Sequence, residues 1–435
     1  MRRVHCTWLV LCIVCSMLVG NLHAQSFERE PINYGKGPWH DPVAQLQERI
    51  DAGAVSLKFD DKHGYLASVL EALKVPVSSQ VLVFSKTSFQ QRRISPDRPR
   101  SVYFSDNVYV GWVQQGEVVE LSAVDPQQGA IFYSLKQQPQ QEPRFTRHVH
   151  DCLQCHASSL TAGVPGHLVR SVYPDVEGHP ILSAGSFITD PSSPLKERWG
   201  GWYVSGTHGR QRHMGNSVMD DDEDKMDMDQ GANVTDLGAL FPTEPYLTPH
   251  SDLVALMVLE HETQMHNALT SANFESRMAM YDAKVINGML GRPADHLSDS
   301  THRRLDRAAE RLLKALLLVG EIELTAPVKG TSGFSAEFME RGPWDNQWRS
   351  LREFDLQHRL FKYPCSYLIY SEAFDGLPQP LRERVYARLH EILTGRDTSD
   401  TYTHLSAADR TAIVEILQDT KPELAEAWAR EPRKP

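Results

Sequence analysis

Between residues 80 and 136, short runs of hydrophobic residues are separated by polar segments. Val, Tyr, Phe and Ile are frequent in the hydrophobic runs. Clusters of Pro, Gly, Asp and Asn separate the runs, which is typical of strands joined by tight turns. The pattern predicts a β-meander whose strands are VLVF, SVYF, VYVGWV, EVVELSAV and AIFYSL. A hairpin turn is expected at 114–116, and two later strands at Leu168–Tyr173 and Ile181–Ile188.

After residue 250 the apolar residues recur with the period of amphipathic helices. A long helix is predicted from Ser251, because neither Gly nor Pro interrupts residues 251–281. The other predicted helices lie at Val43–Ile50, 65–74, His302–Gly320, Trp348–Phe361, Pro380–Leu393 and Ser406–Thr420. Strands precede helices along the chain, so the predicted fold class is α+β, with a β-rich domain at 25–145 and an α-helical domain at 251–435.

The first 24 residues have the pattern of an export signal. Arg2 and Arg3 precede the apolar run Trp8–Gly20, and Ala24 offers a small residue at the cleavage point. The run is shorter than the roughly 20 residues that cross a bilayer. We therefore expect a periplasmic or otherwise exported protein without a stable membrane span, and a retained anchor is the alternative.

The charge of the chain disfavours nucleic acid as a partner. Cleavage of residues 1–24 leaves 43 basic residues against 56 acidic ones, a net charge of −13. Such a surface repels phosphates and anionic membranes, and it attracts basic proteins. A basic redox partner protein is therefore permitted.

Residues 152–156 read CLQCH, which is the C-x-x-C-H pattern of a c-type haem attachment site. Cys152 and Cys155 are spaced to bond one haem, and His156 then reaches the iron as the proximal ligand. C-x-x-C-H occurs once, so the pattern predicts one covalent haem c. The haem-binding segment is expected at 146–250, and this segment includes the two later predicted strands.

Two other interpretations of the cysteines are weaker. A zinc site needs four ligands, and no second C-x-x-C is present. HETQMH, which begins at His261, misses the zinc motif HExxH, because its histidines are five residues apart and diverge by about 140° on a helix. A thioredoxin-type pair needs a βαβ context, which the pattern around residue 152 does not predict. Cys365 lies in an apolar stretch and is expected to be a buried thiol.

The sixth iron ligand is predicted in the loop GTHGRQRHMGN at 206–216. Glycines allow this backbone to approach a flat macrocycle, and the loop offers His208, His213 and Met214 as donors. His213 is the first choice. His261, on the apolar side of the long helix, is a further alternative, and an open sixth position is the remaining possibility.

The residues around the motif resemble known cytochromes. GVPGHL resembles the Gly-Pro loop of small class I cytochromes c, which implies that the Pro165 carbonyl accepts the proximal histidine N–H. The same resemblance places Met214 about as far past the motif as their ligand Met. Longer segments, such as YVGWVQQGEVVELSAVDP, RWGGWYVSGTHGRQRHMGN and KYPCSYLIYSEAF, resemble large exported single-haem cytochrome c domain proteins of unassigned function.

The predicted function is electron transfer through covalently bound haem. A haem enzyme of the peroxidase type is an alternative, and it needs an open sixth position with acid–base residues nearby. A haem-based sensor of small ligands is the third interpretation.

Overall fold

A computed structural model describes residues 26–219 and 226–430. The predicted signal peptide at 1–24 lies outside the described residues. The α+β class is confirmed, because a β-rich region is followed by a helical one. Within the described ranges, none of the helices is both long and apolar enough to cross a membrane.

The central element is a seven-stranded antiparallel sheet with the strand order β6-β5-β4-β3-β2-β1-β9. Its strands are β1 (Val81–Val83), β2 (Arg100–Ser105), β3 (Val108–Trp112), β4 (Val118–Asp125), β5 (Gly129–Lys136), β6 (Thr146–His148) and β9 (Trp202–Tyr203). Two small sheets add β7 (Val169–Val172) with β8 (Ser186–Thr189), and β10 (Gly206–Thr207) with β11 (Lys329–Gly330). Strands β6 and β9 come from the segment 146–250, so this segment and the β-rich region share one sheet.

One face of the sheet is apolar and buried. The register aligns Tyr103, Val110, Leu121 and Tyr133 across four strands. These side chains pack against the helices α1 (Pro42–Asp51) and α2 (Leu66–Ala72). Because side chains alternate along a strand, the intervening residues all point to the opposite face.

The opposite face carries polar and aromatic side chains. One row across the strands is Gly111, Glu120 and Ser134, and the next row contains Ser122 and Phe132. The helix α3 (Leu153–His156), the hairpin β7–β8 and the long helix α4 (Leu253–Leu290) pack over this face.

The helical region follows residue 252. Asp252 begins α4 by accepting hydrogen bonds from the backbone N–H groups of Val254 and Ala255, and Gly291 ends it with a left-handed φ of 64°. The later helices are α5 (Asp299–Leu316), α6 (Phe334–Glu340), α7 (Glu372–Asp375), α8 (Gln379–Leu393), α9 (Ala407–Thr420) and α10 (Pro422–Arg430). They share one large core with α4 and part of the sheet.

The predicted helix at Trp348–Phe361 is wrong. Trp348 and Leu356 have φ values of 60° and 57°, which a right-handed helix does not allow. The segment is a series of turns in which Phe354 pairs with Phe361. The apolar spacing that suggested a helix instead supplies separate side chains to the core.

Candidate functional site

The C-x-x-C-H motif forms a single helical turn. Cys152 precedes α3, and the N–H of His156 donates to the Cys152 carbonyl at 3.0 Å. Leu153 and Ala157 pack into a cluster that contains Tyr34. At about 100° per residue, Cys152, Cys155 and His156 fall within an arc of about 100° on the other side of the turn.

Both cysteines of the motif are free thiols, and Cys155 is exposed to solvent. Burial, followed by the charges of Glu120, Asp151 and Cys155, raises the pKa of Cys152 to about 11. A redox-active thiol needs a lowered pKa, so this environment disfavours thiol–disulfide chemistry. Among residues 26–219 and 226–430, no three His, Cys, Asp or Glu side chains converge as a metal site.

The His156 ring is oriented by a backbone carbonyl. Its Nδ1 lies 3.0 Å from the Gly166 carbonyl oxygen, which only accepts hydrogen bonds. Nδ1 therefore carries the proton, and Nε2 keeps a lone pair. Burial is the main cause of a lowered pKa at His156, which keeps the imidazole neutral.

The predicted acceptor, the Pro165 carbonyl, is wrong by one residue. That oxygen instead accepts from the Ala130 N–H at 3.3 Å. The strand β5 therefore holds the Pro165 carbonyl, and the next carbonyl in the loop, that of Gly166, is the one that faces His156.

Helix α4 holds the loop that carries this carbonyl. Asn267 Oδ1 accepts from the His167 N–H at 2.9 Å, and Asn267 Nδ2 donates to the His167 carbonyl at 2.7 Å. A Cβ at Gly166 would lie 2.1 Å from Asn267 Oδ1, so only glycine fits there. The Gly166 N–H also donates to the His156 carbonyl at 2.8 Å. The predicted proximal ligand, His156, is thus positioned by a residue 111 positions later in the chain.

The polar face of the sheet lies beside His156. The His156 ring contacts the ring of Phe132, with centroids 4.8 Å apart. Arg100 and Glu120 form an ion pair of 2.6 Å, with side chains 20% and 17% exposed. Arg100 lies across Gly111, where a Cβ would come within 2.2 Å of the guanidinium. Arg100 and Glu120 both contribute to the pKa of His156.

The loop at 206–216 lies at the far edge of the sheet, and its candidate donors His208, His213 and Met214 are buried. The Met214 N–H donates to the Arg198 carbonyl at 2.9 Å, next to β9. Five strand spacings, about 24 Å, separate β9 from β5, whose Phe132 contacts His156. The Met214 sulfur accepts from the Ser171 hydroxyl at 3.5 Å.

Each of the two histidines of this loop accepts a hydrogen bond from a backbone N–H group with one ring nitrogen. His213 Nδ1 accepts from the Gly215 N–H, and His208 Nε2 accepts from the Asn233 N–H, both at 3.0 Å. In a neutral imidazole the other nitrogen then carries the proton. That nitrogen lacks the lone pair that iron needs.

His261 is a fully buried residue of α4. Its Nε2 lies 2.7 Å from the Ser366 hydroxyl, and its ring packs against Phe361. Among the contacts between described residues, none joins His208, His213, Met214 or His261 to the motif. The structure gives the predicted distal ligands no support, and the sixth ligand stays a prediction.

Cys365 lies at the core of the helical region. It is fully buried, and burial raises its pKa to about 12. The thiol is therefore protonated and shielded, and the sequence-based expectation of a buried thiol is confirmed.

Some residues of the site were not found from the sequence. Gly166, Asn267 and the Arg100–Glu120 pair carry no motif. The alternation of strand residues is the one available signal, since it places Arg100 and Glu120 on the same face of the sheet. Comparison of the chain with protein-family models, curated proteins and solved structures finds no significant match.

Proposed function

We propose that this chain is an exported single-haem c-type cytochrome that transfers electrons through haem c bound to Cys152 and Cys155. The orientation of His156 is the observation that carries the proposal. Its Nδ1 donates to the Gly166 carbonyl, which leaves Nε2 free to bind iron. The two thiols lie on the same side of the turn as this imidazole.

The residues present fit a haem c. Cys152 and Cys155 would hold the porphyrin through thioether bonds, and His156 would bind the iron, which supplies one-electron redox chemistry when bound. Cys155 is exposed and Cys152 is partly exposed, so neither residue is enclosed in the core.

The chain itself contributes orientation and electrostatics. Asn267 and Gly166 fix the proximal imidazole, and hydrogen bonding to the second nitrogen of a histidine ligand tunes its metal. The Arg100–Glu120 pair places two opposite charges on the neighbouring sheet face. The acidic surface of the mature chain favours a basic redox partner.

A haem enzyme or sensor with an open sixth position is the second candidate. One observation favours it. The distal donors predicted from the sequence make contacts away from the motif, and in the two loop histidines the nitrogen that is left to bind iron carries a proton. Arg100 and Glu120 are a charged pair close enough to act on His156, and such chemistry has them available.

Haem extraction tests the proposal. The full chain is expressed with a cytochrome c maturation system, and the purified protein is denatured in acid organic solvent. Haem should stay on the wild-type polypeptide and on the matched control Cys365→Ala, which removes a thiol outside the motif. Cys152→Ala should keep at most one thioether. Complete extraction of haem from the wild type would overturn the proposal.

Absorption spectra separate the two candidates. A low-spin, six-coordinate iron in both redox states supports electron transfer. A high-spin ferric iron supports the enzyme or sensor.

Sequencing of the exported protein tests cleavage near Ala24, and a mature chain that begins at Met1 would indicate a retained anchor.

A further inference from the structure

A series of aromatic rings leads from His156 into the interface between the sheet and α4. The ring centroids of His156 and Phe132 are 4.8 Å apart, and those of Phe132 and His167 are 5.9 Å apart. The next ring is Tyr109, whose centroid lies 4.3 Å from that of His167. Every step from the proximal histidine to Tyr109 is shorter than about 7 Å, the outer limit of contact between aromatic rings.

The series ends at a hydrogen bond between Tyr109 and His266. The Tyr109 hydroxyl oxygen lies 2.8 Å from His266 Nδ1. His266 Nε2 lies 2.9 Å from the Asp106 carbonyl oxygen, which only accepts. Nε2 therefore carries the proton, so Nδ1 is the acceptor and the phenol is the donor.

The pair is isolated from water. Tyr109 is 7% exposed and His266 is 2% exposed. Burial raises the pKa of Tyr109 well above its usual range and lowers that of His266 to about 4, so both groups are neutral at rest. A phenol with a neutral imidazole acceptor already in place can lose an electron and pass its proton over one hydrogen bond.

We propose that Tyr109 and His266 form a one-electron relay that donates to the haem when it reacts with hydrogen peroxide. The relay rests on the proposed function, because it needs the haem on Cys152 and Cys155. It also needs a sixth position that peroxide can reach, as in the second candidate, so a six-coordinate, low-spin iron in the wild type would overturn the relay and leave electron transfer standing. Ferric iron alone is too weak an oxidant for a phenol, so peroxide is the oxidant that the step requires.

Tyr109 gives up one electron and one proton in this step. Reduction of one hydrogen peroxide to two waters consumes two electrons and two solvent protons. Tyr109 would supply one of these electrons to the bound haem through His167, Phe132 and His156, and the redox partner would supply the other. The Tyr109 O–H bond breaks, and its proton forms a new N–H bond at His266 Nδ1. Tyr109 becomes a neutral phenoxyl radical, and His266 becomes an imidazolium that the Asp106 carbonyl stabilises.

Electron paramagnetic resonance tests the relay on the ferric holoprotein, frozen shortly after hydrogen peroxide is added. A radical signal is expected, and it should narrow when the protein contains ring-deuterated tyrosine. The signal should be lost in Tyr109→Phe. His266→Gln, which removes the imidazole acceptor, should reduce its yield severalfold.

Tyr103→Phe is the matched control. Tyr103 is a fully buried tyrosine on the opposite face of the sheet, and its hydroxyl donates to Gln80 at 2.7 Å. This variant loses a buried hydrogen bond as Tyr109→Phe does, and it should keep the radical. Thermal unfolding and the haem spectrum verify that each variant is folded and loaded.

The outcomes separate the relay from the proposed function. Wild type that holds covalent haem and gives no tyrosine radical overturns the relay alone, and so does a radical that survives in Tyr109→Phe. Wild type that extracts free of haem overturns the proposed function, and the relay with it. Loss of the radical in Tyr103→Phe as well would assign the effect to folding and contradict the relay.

Discussion

The loops at 157–168 and 206–216 both carry glycines beside a histidine, and they differ in what their backbones offer to an imidazole. The first presents a carbonyl to His156, so the imidazole donates from Nδ1 and keeps a lone pair on Nε2. The second presents the Gly215 N–H to His213, which uses the lone pair of Nδ1 instead. Glycines beside a histidine therefore do not identify an iron ligand, and a ring nitrogen can serve as one only where the hydrogen bond of the other nitrogen leaves it a lone pair.

Substitution of the two histidines tests this comparison with the largest effect. His156→Ala removes the predicted proximal ligand, so the haem spectrum should change to that of an iron without its imidazole. His213→Ala should leave the spectrum of the wild type unchanged, since its ring is bonded within its own loop. A high-spin spectrum in His213→Ala, from a low-spin wild type, would restore the loop 206–216 as the source of the sixth ligand.

Gly166→Ala tests the support behind His156, the predicted proximal ligand. The added Cβ would lie 2.1 Å from Asn267 Oδ1, so the loop or the helix must shift. We expect a loss of about 1–3 kcal/mol in the free energy of unfolding, together with a changed reduction potential. Denaturant unfolding and redox titration measure the two effects.

Gly288→Ala is the control for this substitution. Gly288 lies in α4, its φ is not left-handed, and an added Cβ would meet no atom within 4 Å. The change should stabilise the protein by about 0.5–1 kcal/mol and leave the potential unchanged. Equal effects at the two glycines would contradict the role given to Gly166.

The pH dependence of stability tests whether His213, in the loop 206–216, is a buried neutral imidazole. Burial lowers the pKa of His213 to about 3, from an ordinary value of 6.5. Between pH 3 and pH 6.5 the unfolded chain binds a proton at His213 and the folded chain does not. The free energy of unfolding is therefore highest above pH 6.5 and decreases as the pH falls toward 3. The loss is about 1.4 kcal/mol per pH unit for one such group. Denaturation of the wild type and His213→Gln at pH 7 and pH 5 should show a shallower slope in the variant, and equal slopes would count against a buried neutral His213.

Glu120→Gln has the smallest expected effect. Removal of a negative charge near His156 leaves Arg100 unpaired and disfavours the more positive, oxidised iron, so the reduction potential should rise. The electrostatic change is on the order of 1 kcal/mol. Glu117→Gln, at an exposed position paired with Arg93, is the control and should leave the potential unchanged. A potential that does not change in Glu120→Gln would place this charge pair away from the haem, and one that falls would contradict the electrostatic argument.

The strands of the meander could be predicted because their signal is local. The β-branched and aromatic composition of each run, with the turn residues between the runs, places β1 to β5 close to their observed bounds. The helices α8 and α9 were also found from local patterns. Trp348–Phe361 failed because apolar spacing does not report the left-handed φ of Trp348 and Leu356.

The C-x-x-C-H motif could be recognised from the sequence because its residues are adjacent in the chain. The rest depends on contacts between distant residues. Tyr109 and His266 are 157 positions apart, and Asn267 reaches the loop after the motif only because α4 packs beside it. The error of one residue at Pro165 has the same origin, since the N–H of Ala130 occupies the Pro165 carbonyl.

The most direct test of the account is the mass of one tryptic fragment. Cleavage after Arg147 and Arg170 releases residues 148–170, which contain Cys152, Cys155 and His156 and no other Lys or Arg before Arg170. In protein matured with haem, the account predicts that this fragment carries the mass of one haem, and that the fragment with Cys365 carries none. A fragment 148–170 with the mass of its amino acids alone would contradict the account.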